Sequence, residues 1–232
     1  MNMKSLKKAF DLLEYVVAQG GVPVTPTACA EATGWNAVTC TRILGELTEL
    51  GYLEKVTRKS GYRPGPMCSA LSLRNNVYSR LSKASEGPLH RFALTIGAIV
   101  NFSVFHPCGR VMIRICGGGE GVHHIWKDFR FPLSDRMPTS QLLLAAMEKK
   151  QRQTYCPEAL HGELDHLAEK GFFRGKEGDL TVQGHLILCE DYPPAAFGYG
   201  VRQGLDPDEI ARLGAETARE IITILHTQRT IF

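Results

Sequence analysis

The most regular hydrophobic pattern in the chain spans residues 36–50, NAVTCTRILGELTEL. Apolar side chains recur there at spacings of three and four, which predicts an α-helix with one buried face. Asn36 is a favoured N-cap residue, and Gly51 follows where a helix end favours positive φ. The apolar positions are Ala37, Cys40, Ile43, Leu44, Leu47 and Leu50. The opposite face begins with short or basic polar side chains. Taken alone, this pattern fits a surface helix of any small domain as well as it fits a binding helix.

Two further helices are predicted before this one. Ser5 is placed to cap the first, which runs to about Gln19 and ends at two glycines. Thr25 is placed to cap the second, about two turns long, with Pro26 in its first turn. The predicted apolar stripe of the first helix is Leu6, Ala9, Phe10, Leu13 and Val17. A short helix, a glycine-containing turn and an amphipathic helix make a helix-turn-helix, which exposes the start of its second helix.

A basic β-hairpin is predicted directly after the third helix. Residues 52–57 alternate in side-chain character as a strand does, and Tyr62-Arg63 begins a return strand before Pro64. The turn between them, residues 58–61, reads RKSG. Three helices and a basic hairpin within residues 1–66 predict a winged helix-turn-helix DNA-binding domain.

Three segments of this domain resemble the DNA-binding domain of IclR-type transcriptional regulators: residues 5–17, 27–56 and 61–66. The family pattern G-L-x-x-x-T-x-x-R-L-L-x-x-L-x-x-x-G-[YF]-L is matched in register from Gly34 onward, and Val38 stands where the family often has Ser. The matching positions are Gly34, Thr39, Arg42, Leu44, Leu47, Gly51, Tyr52 and Leu53, with Tyr62, Gly65 and Pro66 at the exit of the wing.

The rest of the chain predicts a second domain that mixes strands and helices. Residues 67–84 are expected to form a linker helix, and Gly87-Pro88 to restart the chain in a domain over residues 85–232. Strands are predicted at 101–106, 110–116, 122–126, 179–189 and 195–203, and helices at 141–147, 157–170 and from Asp206 to about His226. The fold class is therefore α+β. Resemblance to the family implies that this domain is a GAF-like mixed α/β effector domain, shortened at its C-terminal part.

Composition is that of a globular protein, with 44% apolar and 22% charged residues. No apolar run reaches the ~20 residues that span a bilayer, and no secretory signal is recognised. The seven cysteines show no CxxC spacing, which favours reduced thiols in a cytoplasmic protein. Residues 1–83 carry eleven Lys/Arg and six Asp/Glu, so the basic excess lies in the N-terminal third. This asymmetry favours a polyanionic partner for that part.

Neither metal binding nor catalysis is predicted. His123 and His124 are adjacent and would point to opposite faces of a strand, and His161 and His166 are five apart, which does not place them on one helix face. No nucleophile-elbow, zinc-protease, P-loop or dinucleotide motif is in register. We therefore expect a protein that is not an enzyme and has no cofactor.

The expected function is a cytoplasmic, sequence-specific DNA-binding transcriptional regulator. It would bind double-stranded DNA as a homodimer or homotetramer, because one short helix reads too few base pairs. The resemblance implies a small organic acid or aromatic effector. Candidate DNA contacts are Lys7, Lys8, Thr25, Asn36, Thr39, Thr41, Arg42, Arg58, Lys59 and Arg63. Candidate effector contacts, by resemblance only, are Arg130, Thr139, Ser140 and Cys189.

Two other interpretations remain open. In the first, the second domain serves only for oligomerisation or protein contact, without sensing a small molecule. In the second, the winged helix binds protein instead of DNA.

Overall fold

The computed structural model describes residues 3–57, 59–72, 76–117, 129–133 and 137–229. The chain divides into two compact units. The first holds the described residues before Asn76 together with Phe129, and the second holds the remaining described residues. The boundary therefore falls inside the predicted linker segment 67–84. No helix of the described residues is long and apolar enough to cross a membrane.

The N-terminal unit is three helices followed by a two-stranded antiparallel hairpin. Two of the three predicted caps are confirmed: the Thr25 side chain accepts a hydrogen bond from Ala28 N, and the Asn36 side chain accepts from Val38 N and Thr39 N. The prediction that Ser5 caps the first helix is wrong, because that helix already includes Met3 and Ser5 lies within its first turn. Gly34 ends the second helix in the left-handed region at φ 71°, where a side chain would add strain. The elements are α1 (Met3–Ala18), α2 (Pro26–Thr33), α3 (Ala37–Glu49), β1 (Leu53–Thr57) and β2 (Gly61–Pro64).

The core of this unit lies between the three helices and the base of the hairpin. The predicted stripe of α1 is partly wrong, because Leu12 and Val16 are fully buried whereas Leu6 and Phe10 are about half exposed. Leu50, assigned above to the buried face of α3, is also exposed. Two neighbouring apolar stripes run along α1, and periodicity alone does not say which one meets the core. The buried core residues are Leu12, Val16, Cys29, Cys40, Ile43, Leu44, Leu47, Leu53 and Tyr62.

The hairpin is fastened to the connector before α2. Val24 and Tyr62 exchange two backbone hydrogen bonds, each 2.8 Å from nitrogen to oxygen. Gly61 has φ 91°, and a Cβ at this position would lie 2.0 Å from the Val24 carbonyl oxygen. Only glycine permits this approach, so Gly61 fixes the base of the wing against the helical core.

The predicted linker helix corresponds to two helices, α4 (Pro66–Ser72) and α5 (Val77–Ile96). The prediction that Gly87-Pro88 restarts the chain is wrong, since α5 continues through Pro88. An Asn76 capping box begins α5. The helix buries Leu81, Ala84, Leu89, Phe92 and Ile96 among its inward residues, and this packing outweighs the hydrogen bond that the proline removes.

The second unit contains a sheet of six described strands, all paired antiparallel in the order β5-β4-β3-β8-β7-β6. Helices α5 and α9 cover one face, and α6 with α8 cover the other. The helices and strands predicted for the second domain are confirmed, except the strand at 122–126, which lies outside the described residues. The elements are β3 (Val100–His106), β4 (Gly109–Cys116), β5 (Arg130–Phe131), α6 (Pro138–Ala145), α7 (Lys149–Arg152), a 3-10 turn (Glu158–Leu160), α8 (His161–Lys170), β6 (Phe172–Glu177), β7 (Leu180–Ile187), β8 (Ala195–Val201) and α9 (Pro207–Arg229).

A buried arginine connects the helices on the α6 side of the sheet. Arg152 is 2% exposed, and its guanidinium donates to the carbonyl oxygens of Leu144, Ala145 and Met147 at the end of α6. It also donates to the His161 carbonyl and to an Asp165 carboxylate oxygen at 2.7 Å. One side chain thus satisfies the last carbonyls of α6 and links them to α8.

A buried polar chain lies on the other face, under α9. His185 Nε2 is 3.0 Å from the Tyr199 hydroxyl, which donates to Gln183 Oε1 at 3.1 Å. Gln183 in turn donates to the Pro207 carbonyl at the start of α9. Burial lowers the pKa of His185 to about 4 and raises the pKa of Tyr199. Both side chains are therefore held neutral against the helix.

Candidate functional site

The N-terminal half of α3 presents a continuous solvent-facing surface. Asn36, Thr41 and Arg42 are exposed and Thr39 is half-buried. Asn36 Oδ1 accepts from the backbone N–H of Val38 at 2.9 Å and of Thr39 at 3.5 Å. The Thr41 hydroxyl donates to the Ala37 carbonyl. The Asn36 amide N–H₂ and the Arg42 guanidinium are then the donors best placed to reach a partner in front of the helix.

Arg42 is held along the helix by an acidic neighbour. Its Nη1 lies 2.5 Å from Glu46 Oε1, and both side chains are more than half exposed. An exposed ion pair of this kind contributes about 0.3–0.5 kcal/mol. A phosphate or a guanine edge can therefore replace Glu46 at little cost.

The wing presents a second basic group in the same unit. Arg63 and Glu54 lie directly opposite on β2 and β1, and the guanidinium donates two hydrogen bonds to the carboxylate at 3.1 and 3.2 Å. Lys59 is exposed at the tip, where Thr57 Oγ1 accepts a hydrogen bond from Ser60 N and closes the turn. Arg58 lies outside the described residues. The wing thus presents Lys59 to solvent, together with Arg63, whose exposed partner Glu54 can be replaced by another anion.

The first helix supplies two candidate lysines, Lys7 and Lys8. Lys7 forms an i,i+4 ion pair with Asp11 at 2.7 Å. Lys8 places its ammonium group 4.6 Å from the centroid of the Trp35 ring, in the turn between α2 and α3. This cation–π contact directs Lys8 toward the helix-turn-helix. Thr25 is occupied as the cap of α2, and its role there is structural.

An apolar groove lies on another part of this unit. It encloses about 550 Å³ and is lined by the exposed apolar stripe of α1 and by the C-terminal half of α3. Leu6, Phe10 and Leu50, each 45–64% exposed, form its rim. Further apolar lining residues are Ala9, Leu13, Val17, Ile43, Leu47, Tyr52, Leu71 and Phe129.

In the second unit a polar cluster is buried where α6 begins. Thr139 and Ser140 are 1% and 0% exposed. Arg110, at the start of β4, donates from Nε to Ser140 Oγ at 3.0 Å and from Nη1 to Ser103 Oγ at 3.4 Å. Its guanidinium also lies 4.6 Å from the ring centroid of Phe131. The cluster therefore joins a cation, three hydroxyl groups and a helix N-terminus.

The floor of this cluster is made by glycines on the adjacent strands β7 and β8. A Cβ at Gly198 would lie 3.2 Å from Thr139 Cγ2, and one at Gly184 would lie 2.8 Å from Pro138 Cβ. Asn101 donates to the Gly198 carbonyl, and its Oδ1 is buried with no hydrogen-bond partner. The start of α6 can lie this close to the sheet only because these strand positions lack side chains.

The four candidate effector residues are not brought together. Thr139 and Ser140 share the cluster around Arg110, but Cys189 packs against the hydrophobic core under α5 and α9. Arg130 is exposed and lies opposite Val111 in the β4–β5 pair, on the other side of the sheet from Arg110. Arg110 is not predicted as a site residue, because a polar residue in an alternating strand normally indicates the solvent face.

Within the described ranges no three His, Cys, Asp or Glu side chains are grouped as metal ligands. His123 and His124 lie outside those ranges. His161 is buried and its Nε2 has no hydrogen-bond partner, whereas the neighbouring His166 is exposed.

These features define a winged helix-turn-helix unit joined to a mixed α/β domain with an antiparallel sheet. Residues 5–57 match the family model of the IclR helix-turn-helix domain.

The whole chain has the fold of solved IclR-type regulators. It superposes on an IclR homolog from Microbacterium hydrocarbonoxydans, complexed with 4-hydroxybenzoate, with TM-score 0.76, 18% identity, and coverage of 96% of this chain and 99% of that one. For an IclR transcriptional regulator from Alicyclobacillus acidocaldarius the TM-score is 0.69, at 17% identity and 97% and 99% coverage. For Pseudomonas aeruginosa HmgR it is 0.68, at 15% identity and 95% and 98% coverage. No curated protein sequence matches the chain.

Identities this low establish the fold and nothing finer. Almost the full length of each solved chain is covered, so the second domain is not shortened relative to these three proteins.

Proposed function

We propose that this protein is a cytoplasmic, sequence-specific DNA-binding transcriptional regulator that binds its operator as a homodimer or homotetramer. One observation carries the proposal: the N-terminal half of α3 is exposed with Arg42 on its surface, and the same unit carries further basic groups on the wing and at Lys8, beside the turn before α3. In a winged helix-turn-helix the second helix of the motif enters the major groove, and flanking cations contact phosphates. Arg42 is the side chain best suited to read a guanine edge.

The surface charge supports this use. Arg42, Arg63 and Lys7 are held by exposed acidic neighbours, whose ion pairs are weak and exchangeable. Lys8, beside the turn before α3, and Lys59, at the tip of the wing, add further positive charge. Together they give a basic surface that matches the excess of Lys and Arg in residues 1–83. Phosphate contacts of this kind release counterions, which makes binding depend on salt.

The test is fluorescence anisotropy with the DNA upstream of the protein's own coding region, at two salt concentrations. We expect binding that exceeds binding to scrambled DNA and weakens steeply with salt. Arg42→Ala should weaken operator binding about tenfold or more and reduce discrimination against scrambled DNA. Lys59→Ala should weaken binding to both DNAs alike.

Arg91→Ala is the matched control, because Arg91 forms an equally exposed ion pair, with Glu220 in the second unit. It should bind DNA as the wild type does. Equal binding to upstream and scrambled DNA by the wild type, with no effect of Arg42→Ala, would instead favour the protein-contact interpretation of the winged helix.

The proposal of a dimer has a structural counterpart in the apolar groove on the N-terminal unit. We expect a second copy of the chain to cover it, because two copies double the number of base pairs read and an open groove of this kind costs solubility. Leu6, Phe10 and Leu50, which are exposed in the single chain, would be buried in such a dimer.

We further propose that a small organic acid binds at the cluster around Arg110. The guanidinium and the backbone N–H groups at the start of α6 favour a carboxylate, for both charge and hydrogen-bond geometry. Phe131 beside Arg110 favours an aromatic acid. The complex of the Microbacterium protein with 4-hydroxybenzoate makes that acid the first compound to try.

Thermal unfolding with 4-hydroxybenzoate and a panel of small carboxylic acids tests this site. A binding acid at a hundred times its Kd should stabilise the protein by about 2.7 kcal/mol. Ser140→Ala should reduce this stabilisation, whereas Arg130→Ala and Cys189→Ser should retain it. If no acid shifts the transition, the second domain serves oligomerisation or protein contact instead.

A further inference from the structure

Val38 is the most exposed large apolar side chain among the described residues, at 77%. It stands in the first turn of α3 and takes no part in the hydrophobic core. A β-branched side chain here gains nothing from burial and is a poorer helix former than Ala. Nothing inside the unit explains the valine, whereas a partner in front of the helix would.

The neighbours of Val38 limit what that partner is. On a helix the side chains three and four residues on, Thr41 and Arg42, share its surface. The Thr41 hydroxyl already donates its proton to the Ala37 carbonyl oxygen. The side-chain oxygen of Asn36, Oδ1, already accepts a hydrogen bond from Val38 N as the cap of α3. The centre of this surface is therefore an apolar patch formed by Val38, with the Arg42 guanidinium beside it and the Asn36 amide at its edge.

In the major groove the only apolar group on a base edge is the 5-methyl of thymine. A polar base edge facing Val38 would lose water without gaining a hydrogen bond, which costs free energy. We propose that Val38 determines operator specificity by packing against a thymine methyl group. The inference rests on the proposed DNA-binding function and adds the identity of one base to it.

The position of Arg42 adds a constraint on the operator. It lies one helical turn beyond Val38, a rise of about 6 Å, which corresponds to about two base-pair steps. If Arg42 contacts a guanine, each half-site should hold the selected thymine within about two base pairs of that guanine.

The test removes the two proposed contact groups in turn: the thymine methyl group from the DNA and the Val38 side chain from the protein. The operator is first located by footprinting, and each protected thymine is replaced singly by deoxyuridine. For the wild type, one thymine in each half-site should be sensitive, with a loss of about fourfold per methyl group. Val38→Ala should bind the thymine operator correspondingly less tightly and should not distinguish thymine from deoxyuridine at that position.

Two further variants separate this contact from trivial effects. Val38→Thr keeps the shape but replaces a methyl group by a hydroxyl, and should lose most of the preference. Val22→Ala removes an exposed valine from the connector before α2 and should bind both operators as the wild type does. None of these exposed positions is needed for the core, so all variants should fold.

The possible failures are distinguishable. A wild-type protein that does not prefer its upstream DNA to scrambled DNA overturns the proposed function, and this inference with it. Sequence-specific binding that is indifferent to every deoxyuridine, or a Val38→Ala protein with undiminished thymine preference, overturns the inference alone.

Discussion

Arg152→Ala should destabilise the second domain by about 4 kcal/mol. The substitution leaves three carbonyl oxygens at the end of α6 and the carbonyl of His161 without their donor, in a region where water cannot replace it. Removing one partner from a buried charged network costs about 3–5 kcal/mol in other proteins. Urea unfolding of the full chain, followed by circular dichroism, measures the change in the free energy of unfolding.

Arg152→Lys should recover less than half of this loss, because a single ammonium group cannot span acceptors on two helices. Arg212→Ala is the control, since Arg212 is exposed and pairs only with Glu216 on its own helix. It should change the free energy of unfolding by about 0.5 kcal/mol or less. A loss in Arg152→Ala no larger than in this control would show that Arg152 does not hold α6 and α8 together.

The local signals in the sequence predict most of the N-terminal unit correctly. Thr25, Asn36 and Gly34 act through residues within three or four positions of themselves, so cap rules are sufficient to find them. Leu12 and Leu6 show the limit of this reasoning. Each belongs to a regular stripe on α1, and only the position of α3 decides which stripe is buried.

The second unit is less predictable because its key groups are paired across the fold. Pro88 has the strongest local signal for a break, yet the packing of α5 on the sheet overrides it. Arg110 and Ser140 are thirty residues apart, and their contact exists only because glycines on β7 and β8 let α6 approach the sheet. Arg152 likewise gives no sign in the sequence that it is buried.

The proposed DNA-binding surface is partly predictable from local signals and partly dependent on contacts across the fold. Its position follows from the helix-turn-helix pattern, but the pairing of Arg63 with Glu54 needs the strand register and the exposure of Val38 needs the packed core. A sequence comparison treats Val38 only as a departure from a common Ser. The structure shows it to be an exposed apolar group, and this is what suggests a thymine contact.

The second large expected effect is a loss of stability on acidification that depends on His185. An unfolded histidine binds its proton with a pKa of about 6.5, whereas burial lowers the pKa of His185 in the folded protein to about 4. Between these values the unfolded state binds more protons, so stability rises with pH and is lost as pH falls. The loss should approach about 3 kcal/mol by pH 4.

Folded-state contacts explain why His185 cannot accept the proton easily. Its ring is stacked on Phe197 at 5.2 Å between centroids, and a Cβ at Gly214 of α9 would lie 2.2 Å from Nε2. A charged imidazolium in this position would face the Tyr199 hydroxyl and helix α9 without water. Protonation of His185 is therefore disfavoured as long as the domain is folded.

Urea unfolding at intervals from pH 7 to pH 4, for the wild type and for His185→Gln, separates this residue from the carboxylates that titrate in the same range. His185→Gln is expected to be less stable at pH 7, because it loses the ring contacts with Phe172 and Phe197. Its free energy of unfolding should nevertheless fall less steeply with acidification, so that the two curves converge toward pH 4. Parallel curves would show that His185 is not the group whose protonation opens the α9 face of the sheet.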